Sequence, residues 1–146
     1  MLSVVFGTAI NVGAINTEES VGTETTHMSN GFIYQVYSES AMITGYTGTS
    51  KSVTIPAKLD GYPVRYVGDN TPNTGEGFPL TGIENITSVT IGNNVIGISG
   101  AAFKKATKLK TLSIKDSVSE IHWAAFKGCS SLNTINIVTA FKTSNQ

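Results

Sequence analysis

From residue 86 onward the chain repeats itself every 23 residues. Ser88-Val89-Thr90-Ile91 returns as Thr111-Leu112-Ser113-Ile114 and again as Thr134-Ile135-Asn136-Ile137, and Ala101-Ala102-Phe103-Lys104 returns as Ala124-Ala125-Phe126-Lys127. The same offset links Ile86, Leu109 and Leu132, then Val95 with Val118 and Ile98 with Ile121. Eight of 23 positions are identical between residues 87–109 and 110–132, most of them apolar. A repeat of this length cannot bury its apolar positions alone and must stack on its neighbours, so the pattern predicts a solenoid.

Within a coil, Leu109, Leu112 and Ile114 are spaced so that the last two share one face of a short strand, which turns Thr111 and Ser113 the other way. Stacking predicts a parallel sheet with strands about 4.8 Å apart. One face is an aliphatic ladder. The other is a polar ladder of Ser52, Ser88, Thr111 and Thr134 beside Thr54, Thr90, Ser113 and Asn136. The first coil is a variant. Ser52-Val53-Thr54-Ile55-Pro56 matches the strand, Val64 and Val67 match Val95 and Ile98, and Lys58–Pro63 lengthens the turn. A loop rich in turn residues, Asp69 to Gly77, stands where later coils carry Ala-Ala-Phe, with Phe78 as the expected substitute for the repeated phenylalanine. Phe103 and Phe126 are expected to stack and to be largely buried.

Ahead of the repeats, Phe32–Tyr37 and Ala41–Tyr46 are β-prone runs around Ser38-Glu39-Ser40, which predicts a β-hairpin capping the apolar end of the stack. The expected division is an apolar segment over 1–14, a linker over 15–29, a hairpin cap over 30–50, repeats over 51–138 and a polar tail over 139–146. Residues 1–14 end in Val12-Gly13-Ala14 and resemble the apolar part of a secretory signal without its basic leader; a frayed apolar terminus is the plainer alternative. The run is too short to span a membrane, and no other stretch approaches the required length.

Ten basic and ten acidic residues cancel, so net charge selects no partner. Their distribution is uneven: residues 101–146 hold seven basic and two acidic side chains, and Lys104, Lys105, Lys108 and Lys110 form the densest run. With a single arginine, far away at Arg65, the sequence offers no nucleic-acid footprint; a solvated flank, or attraction to anionic polymers, fits the lysines better. The lone Cys129 excludes an intrachain disulfide and a cysteine-rich zinc site, and it aligns with Ala106 at a small core position. It suits either a reducing compartment or an extracellular protein built without disulfides. Two histidines, His27 and His122, do not make a metal site, and Asp69, Glu76 and Glu84 lack the spacing of a calcium loop. No cofactor, nucleophile with its base, or carboxylate pair in a cleft is expected. Trp123 stands where the preceding coil has Gly100, beside His122, and either covers the edge of the stack or serves as a contact residue.

The residues Val53-Thr54-Ile55-Pro56, Val118-Ser119-Glu120-Ile121, Ala125-Phe126 and Gly128-Cys129-Ser130-Ser131-Leu132 resemble the BspA-type leucine-rich repeats of bacterial and protist surface proteins. Gly31-Phe32-Ile33-Tyr34 and Gly61-Tyr62-Pro63-Val64 are similar to the openings of such arrays, so the resemblance covers residues 31–137. The chain departs from the pattern at Gly92 and Lys115, which replace the proline after the strand, at Ser99 and His122, which replace a glycine, and at Lys105-Ala106, which replaces Gly-Cys. The array stops after Ile137 with a polar tail, as expected of a piece of a longer protein. The resemblance implies a mainly β leucine-rich-repeat solenoid, secreted or held at a bacterial cell surface. The expected function is a non-enzymatic binding or adhesion module for a protein or glycan surface component, with no nucleic acid and no membrane span. The expected contacts are Thr54, Thr90, Thr111, Ser113, Thr134, Asn136, His122, Trp123 and Lys104. The alternatives are a structural spacer in a larger exported protein and a recognition module appended to a hydrolase. Nothing in the repeat sets an oligomeric state.

Overall fold

A computed structural model of the chain describes residues 25–68 and 79–138. The strands are β1 (Thr26–Ser29), β2 (Phe32–Tyr37), β3 (Ser40–Tyr46), β4 (Ser52–Thr54), β5 (Lys58–Leu59) and β6 (Tyr62–Val67), followed by β7 (Ser88–Thr90), β8 (Gly97–Ile98), β9 (Thr111–Lys115), β10 (Glu120–Ile121) and β11 (Thr134–Val138). No helix occurs among the described residues.

Each of the first three coils contributes to both of two sheets, one strand to each except in the first coil, where β5 pairs antiparallel with β6. One sheet stacks β4, β7, β9 and β11 in parallel, so the solenoid has four turns. The other stacks β6, β8 and β10 in parallel and continues through β3 into β2 and β1. The Val-x-x-Ile segment, which in the sequence is only a packing pattern, therefore forms a second ladder in which Val67, Ile98 and Ile121 are successive rungs. Apolar residues of both sheets fill the space between them: Val53, Val89 and Leu112 from one side meet Val64, Val67 and Ile98 from the other in a single core.

The N-terminal cap is a three-stranded meander, because β1 pairs antiparallel with β2. This corrects the linker expected over residues 15–29, whose last residues, Thr26–Ser29, form β1. The segment lacks apolar periodicity, yet β1 is held by its backbone ladder and by polar side chains. Tight turns close the three antiparallel connections: Asn30-Gly31 (φ 51° and 80°), Ser38-Glu39 (45° and 60°) and Asp60-Gly61 (47° and 91°). Positive φ at both central residues is the turn geometry whose twist matches flanking strands.

The corner that leads from the second sheet back to the first is also repeated. Ala102 N–H donates to Ser99 O and Lys104 N–H to Ala101 O; one coil later Ala125 N–H donates to His122 O and Lys127 N–H to Ala124 O. Ala101 and Ala124 both adopt the left-handed region, with φ of 58° and 61°. Phe103 N–H donates across the stack to Ala125 O, and the rings of Phe103 and Phe126 lie 5.2 Å apart at 8°, stacked as expected. Phe103 is fully buried, but Phe126 is only half-buried, because its coil has a described neighbour on one side alone. Gly68, with φ of 94°, opens the first copy of this corner, and a Cβ there would come within 2.7 Å of Ala102 Cβ. Phe78 and the loop from Asp69 lie outside the described residues. Leu80 is buried and bonded through its N–H to Ala102 O.

Candidate functional site

The polar ladder forms in the expected register. Ser52 pairs with Ser88, Ser88 with Thr111 and Thr111 with Thr134, while Thr54 pairs with Thr90, Thr90 with Ser113 and Ser113 with Asn136. These side chains are exposed or half-exposed, since their neighbours Val53, Val89 and Leu112 take the inward positions of the same strands. Strand spacing of about 4.8 Å is too wide for one hydroxyl to bond its counterpart on the next rung. Accordingly, the hydroxyls of Thr54, Ser88, Thr90 and Thr111 make no hydrogen bond among the described residues. At the last rung Asn136 is long enough to reach back, its Nδ2 lying 3.4 Å from Ser113 Oγ, and Thr134 Oγ1 donates to Asn133 Oδ1 at 2.8 Å. The face is thus two columns of hydroxyls on a rigid sheet, able to donate and accept but without a group that could abstract a proton or attack a carbonyl.

His122, Trp123 and Lys104 lie elsewhere. They sit on the corner that leaves the second sheet, not on the outer face of the first. His122 is exposed, with Nε2 3.7 Å from Glu120 Oε2, and Trp123 keeps 65% of its surface in solvent. The nine expected contact residues therefore fall into two groups, six on the sheet face and three on the corner, and do not make one continuous site.

Cys129 packs half-buried behind Phe126 with its Sγ 3.2 Å from Phe103 O, an arrangement in which the thiol donates. Burial pushes its pKa up, the direction opposite to that of an activated nucleophile. No three His, Cys, Asp or Glu side chains converge as metal ligands among the described residues.

One polar cluster escaped sequence reasoning. The Asp60 carboxylate accepts from Tyr34 Oη at 2.6 Å and from Ser29 Oγ at 2.7 Å, while His27 stacks on the Tyr34 ring at 5.2 Å. The hydrogen bond from Tyr34, then that from Ser29, holds Asp60 below the usual carboxylate range. The same bond, with burial, pushes Tyr34 up to about 12. This cluster ties β1 and β2 of the cap to the β5–β6 turn of the first coil. Its signal in the sequence is the hairpin pair Asp60-Gly61.

The family model for the BspA type leucine rich repeat region (6 copies) matches residues 80–146. Among solved structures, a leucine rich cell surface protein from Faecalibacterium prausnitzii A2-165 is 28% identical, with a TM-score of 0.58 over 79% of this chain. This chain spans 32% of that protein's length. A leucine-rich repeat protein from Bacteroides capillosus ATCC 29799 shares the fold at 21% identity and a TM-score of 0.51, over 79% of this chain and 99% of its own. No curated protein matches the chain.

Proposed function

Since the repeat region belongs to the BspA-type leucine-rich repeat family, we propose that this chain is a non-enzymatic recognition module of a secreted or cell-surface protein. In this reading it contacts a protein or glycan surface component through the outer face of the first sheet. The observation that carries it is the pair of hydroxyl columns, Ser52 to Thr134 and Thr54 to Asn136, held in register on a rigid support with several hydroxyls left unpartnered. A folded protein satisfies its polar groups internally or with water, so an ordered row of exposed hydroxyls is pre-positioned to exchange water for a ligand without ordering cost. The Faecalibacterium protein is a cell surface protein, which supports placement at a surface, and the described residues hold no helix long and apolar enough to cross a membrane.

The test uses the full chain, immobilised and screened against glycan and surface-protein arrays. Binding is expected without turnover of the bound material. Thr90→Val with Thr111→Val keeps the side-chain shape and removes two central hydroxyls, and should abolish that binding while leaving the circular dichroism spectrum and the melting temperature in place. Binding retained by the double variant would refute the sheet face as the contact surface. Hydrolysis of a glycan or peptide by the pure chain would overturn the non-enzymatic reading.

A further inference from the structure

The corner that carries Phe103 and Phe126 concentrates positive charge in a way neither sheet does. Lys104 and Lys127 occupy the same position on successive coils, stacked through the hydrogen bond from Phe103 N–H to Ala125 O. Lys105 follows Lys104 along the chain, and Lys108 and Lys110 lie on the return toward β9. All five are exposed. Residues 101–115 and 121–138 contain no Asp or Glu. Among the described residues, none of these five lysines is ion-paired with a carboxylate. Lys108 donates to Asn85 Oδ1 at 2.7 Å, a neutral partner that fixes the ammonium without cancelling its charge. Glu84 is the acidic residue on the corresponding stretch of the preceding coil, aligned with Thr107 by the repeat offset.

Stacked loops of one sign focus field outward and raise the local concentration of counter-charge. What they select follows from the side chains. A lysine ammonium is a compact, strongly hydrated point charge that lacks the planar fork with which arginine reads phosphate in two directions. The lone arginine, Arg65, lies in β6 of the second sheet, away from this corner. Single-stranded nucleic acid would call for successive aromatic platforms, whereas Phe103 and Phe126 of this corner stack on each other and its exposed rings, His122 and Trp123, belong to a single coil. A lipid surface would call for a broad apolar face beside the lysines, whereas this corner exposes Trp123 alone among large apolar side chains; the others belong to the cap (Met28, Tyr37), to the start of β6 (Tyr62) and to the last rung (Ile121, Ile135, Ile137, Val138). The remaining class carries isolated single charges at intervals along a flexible hydrated backbone.

We propose that this corner is a docking site for a linear anionic polysaccharide, bearing carboxylate or sulfate groups, that lies across Lys104 and Lys127 and is held by Lys105, Lys108 and Lys110. The site is separate from the hydroxyl face and does not depend on that face binding anything.

The experiment titrates the full chain with polygalacturonate, dextran sulfate, neutral dextran and duplex DNA. Both anionic glycans should bind and neutral dextran should not; a preference between the two names the acidic group. If about four charges are neutralised, raising salt from 50 to 200 mM should weaken binding about 50-fold, taking a log–log slope of about 0.7 per charge as for flexible polyanions. Lys104→Gln with Lys127→Gln should lower that slope by about 1.4 and affinity at least 10-fold at low salt. Lys58→Gln with Arg65→Gln removes the same charge from the second sheet and should change affinity less than 3-fold. Equal losses in the two double variants would overturn the proposal by reducing it to net charge. Salt-independent binding, equal binding of neutral dextran, or tighter binding of DNA than of either glycan would overturn it as well. Loss of array binding in the Thr90/Thr111 variant with glycan binding intact would separate this site from the sheet face.

Discussion

Truncating the two stacked phenylalanines should have unequal effects, and the inequality follows from how each ring is enclosed. Phe103 keeps 1% of its surface in solvent and is walled by both sheets and by the next coil. Phe103→Ala therefore loses the whole transfer free energy and leaves an enclosed cavity, for a cost of about 3–5 kcal/mol. Phe126 is half-buried. Its truncation loses about half of a full transfer term of about 2.5 kcal/mol, plus a ring–ring term of about 1 kcal/mol, and opens a notch that water fills; the expected cost is about 2 kcal/mol. For a chain of 146 residues, one kcal/mol corresponds to about 4 °C. Melting should fall by about 12–20 °C for Phe103→Ala and by about 8 °C for Phe126→Ala. Because the rings lie 5.2 Å apart and nearly parallel, a double-mutant cycle should return a coupling of about 0.5–1.5 kcal/mol. Equal costs at the two positions, or no coupling, would refute the stacked-corner reasoning.

The Asp60 cluster should give the cap opposite pH limits. Asp60 is held below the usual carboxylate range, so its contribution is present above about pH 4 and drains away as pH falls through its folded value; the urea-midpoint difference between the native chain and Asp60→Asn should shrink on acidification. Tyr34 is raised to about 12, so its contribution is present below about pH 10 and is lost from there upward; Tyr34→Phe should flatten the alkaline limb of the stability profile. Gly68→Ala should cost about 2–3 kcal/mol by denaturant titration, since it combines left-handed strain with a Cβ pressed against Ala102, and a neutral result would mean the corner relaxes freely. Cys129 should react with iodoacetamide more slowly in the folded chain than in urea, because burial raises its thiol; equal rates would place it in solvent.

The sheet of β4, β7, β9 and β11 is legible in the sequence because a fixed offset states both which residues pair and which face they share. Ser88, Thr111 and Thr134 align by that offset alone, and they pair in that register. The offset also carries the Phe103–Phe126 stack. It misjudges burial, because a repeat assigns each copy the same environment while environment comes from neighbours. Leu112 and Ile114 keep 0% and 7% of their surface, and their counterparts Ile135 and Ile137 keep 55% and 67%. Strand β1 is illegible for a different reason: Thr26 to Ser29 has no apolar alternation, and its inward residues are His27 and Ser29, satisfied by Tyr34 and Asp60. The hairpin pair Asn30-Gly31 is the signal that could have found it. The separation of Lys104, His122 and Trp123 from the hydroxyl columns is not readable from spacing, since it depends on the second sheet that turns each coil through a corner.

The internal and external positions of the coil carry different information. Inward columns must stay apolar and of matched volume, or the stack loses contact on both sides of the altered rung. Outward columns are free of that demand, so two kinds of outer column arise. Where the copies agree, as in Ser88, Thr111 and Thr134, the surface presents one chemistry along its length and suits a ligand that is itself repetitive or broad. Where they differ, as in Gly100 against Trp123 and Lys105 against Gly128, a single coil acquires a character its neighbours lack. Both differences fall on the corner loop, and each gives one coil a side chain able to act in recognition: an indole or an ammonium. Exchanging Gly100 and Trp123, which leaves the buried Ser99 and its hydrogen bond to Gly68 O in place, should therefore keep the inward ladder and the fold intact while moving the indole one rung along the stack. The chain should melt within a few degrees of the native protein, with tryptophan fluorescence shifted to the blue as the indole enters a coil flanked on both sides. An unchanged emission maximum would show that the environment of the corner is set locally and not by its place in the stack.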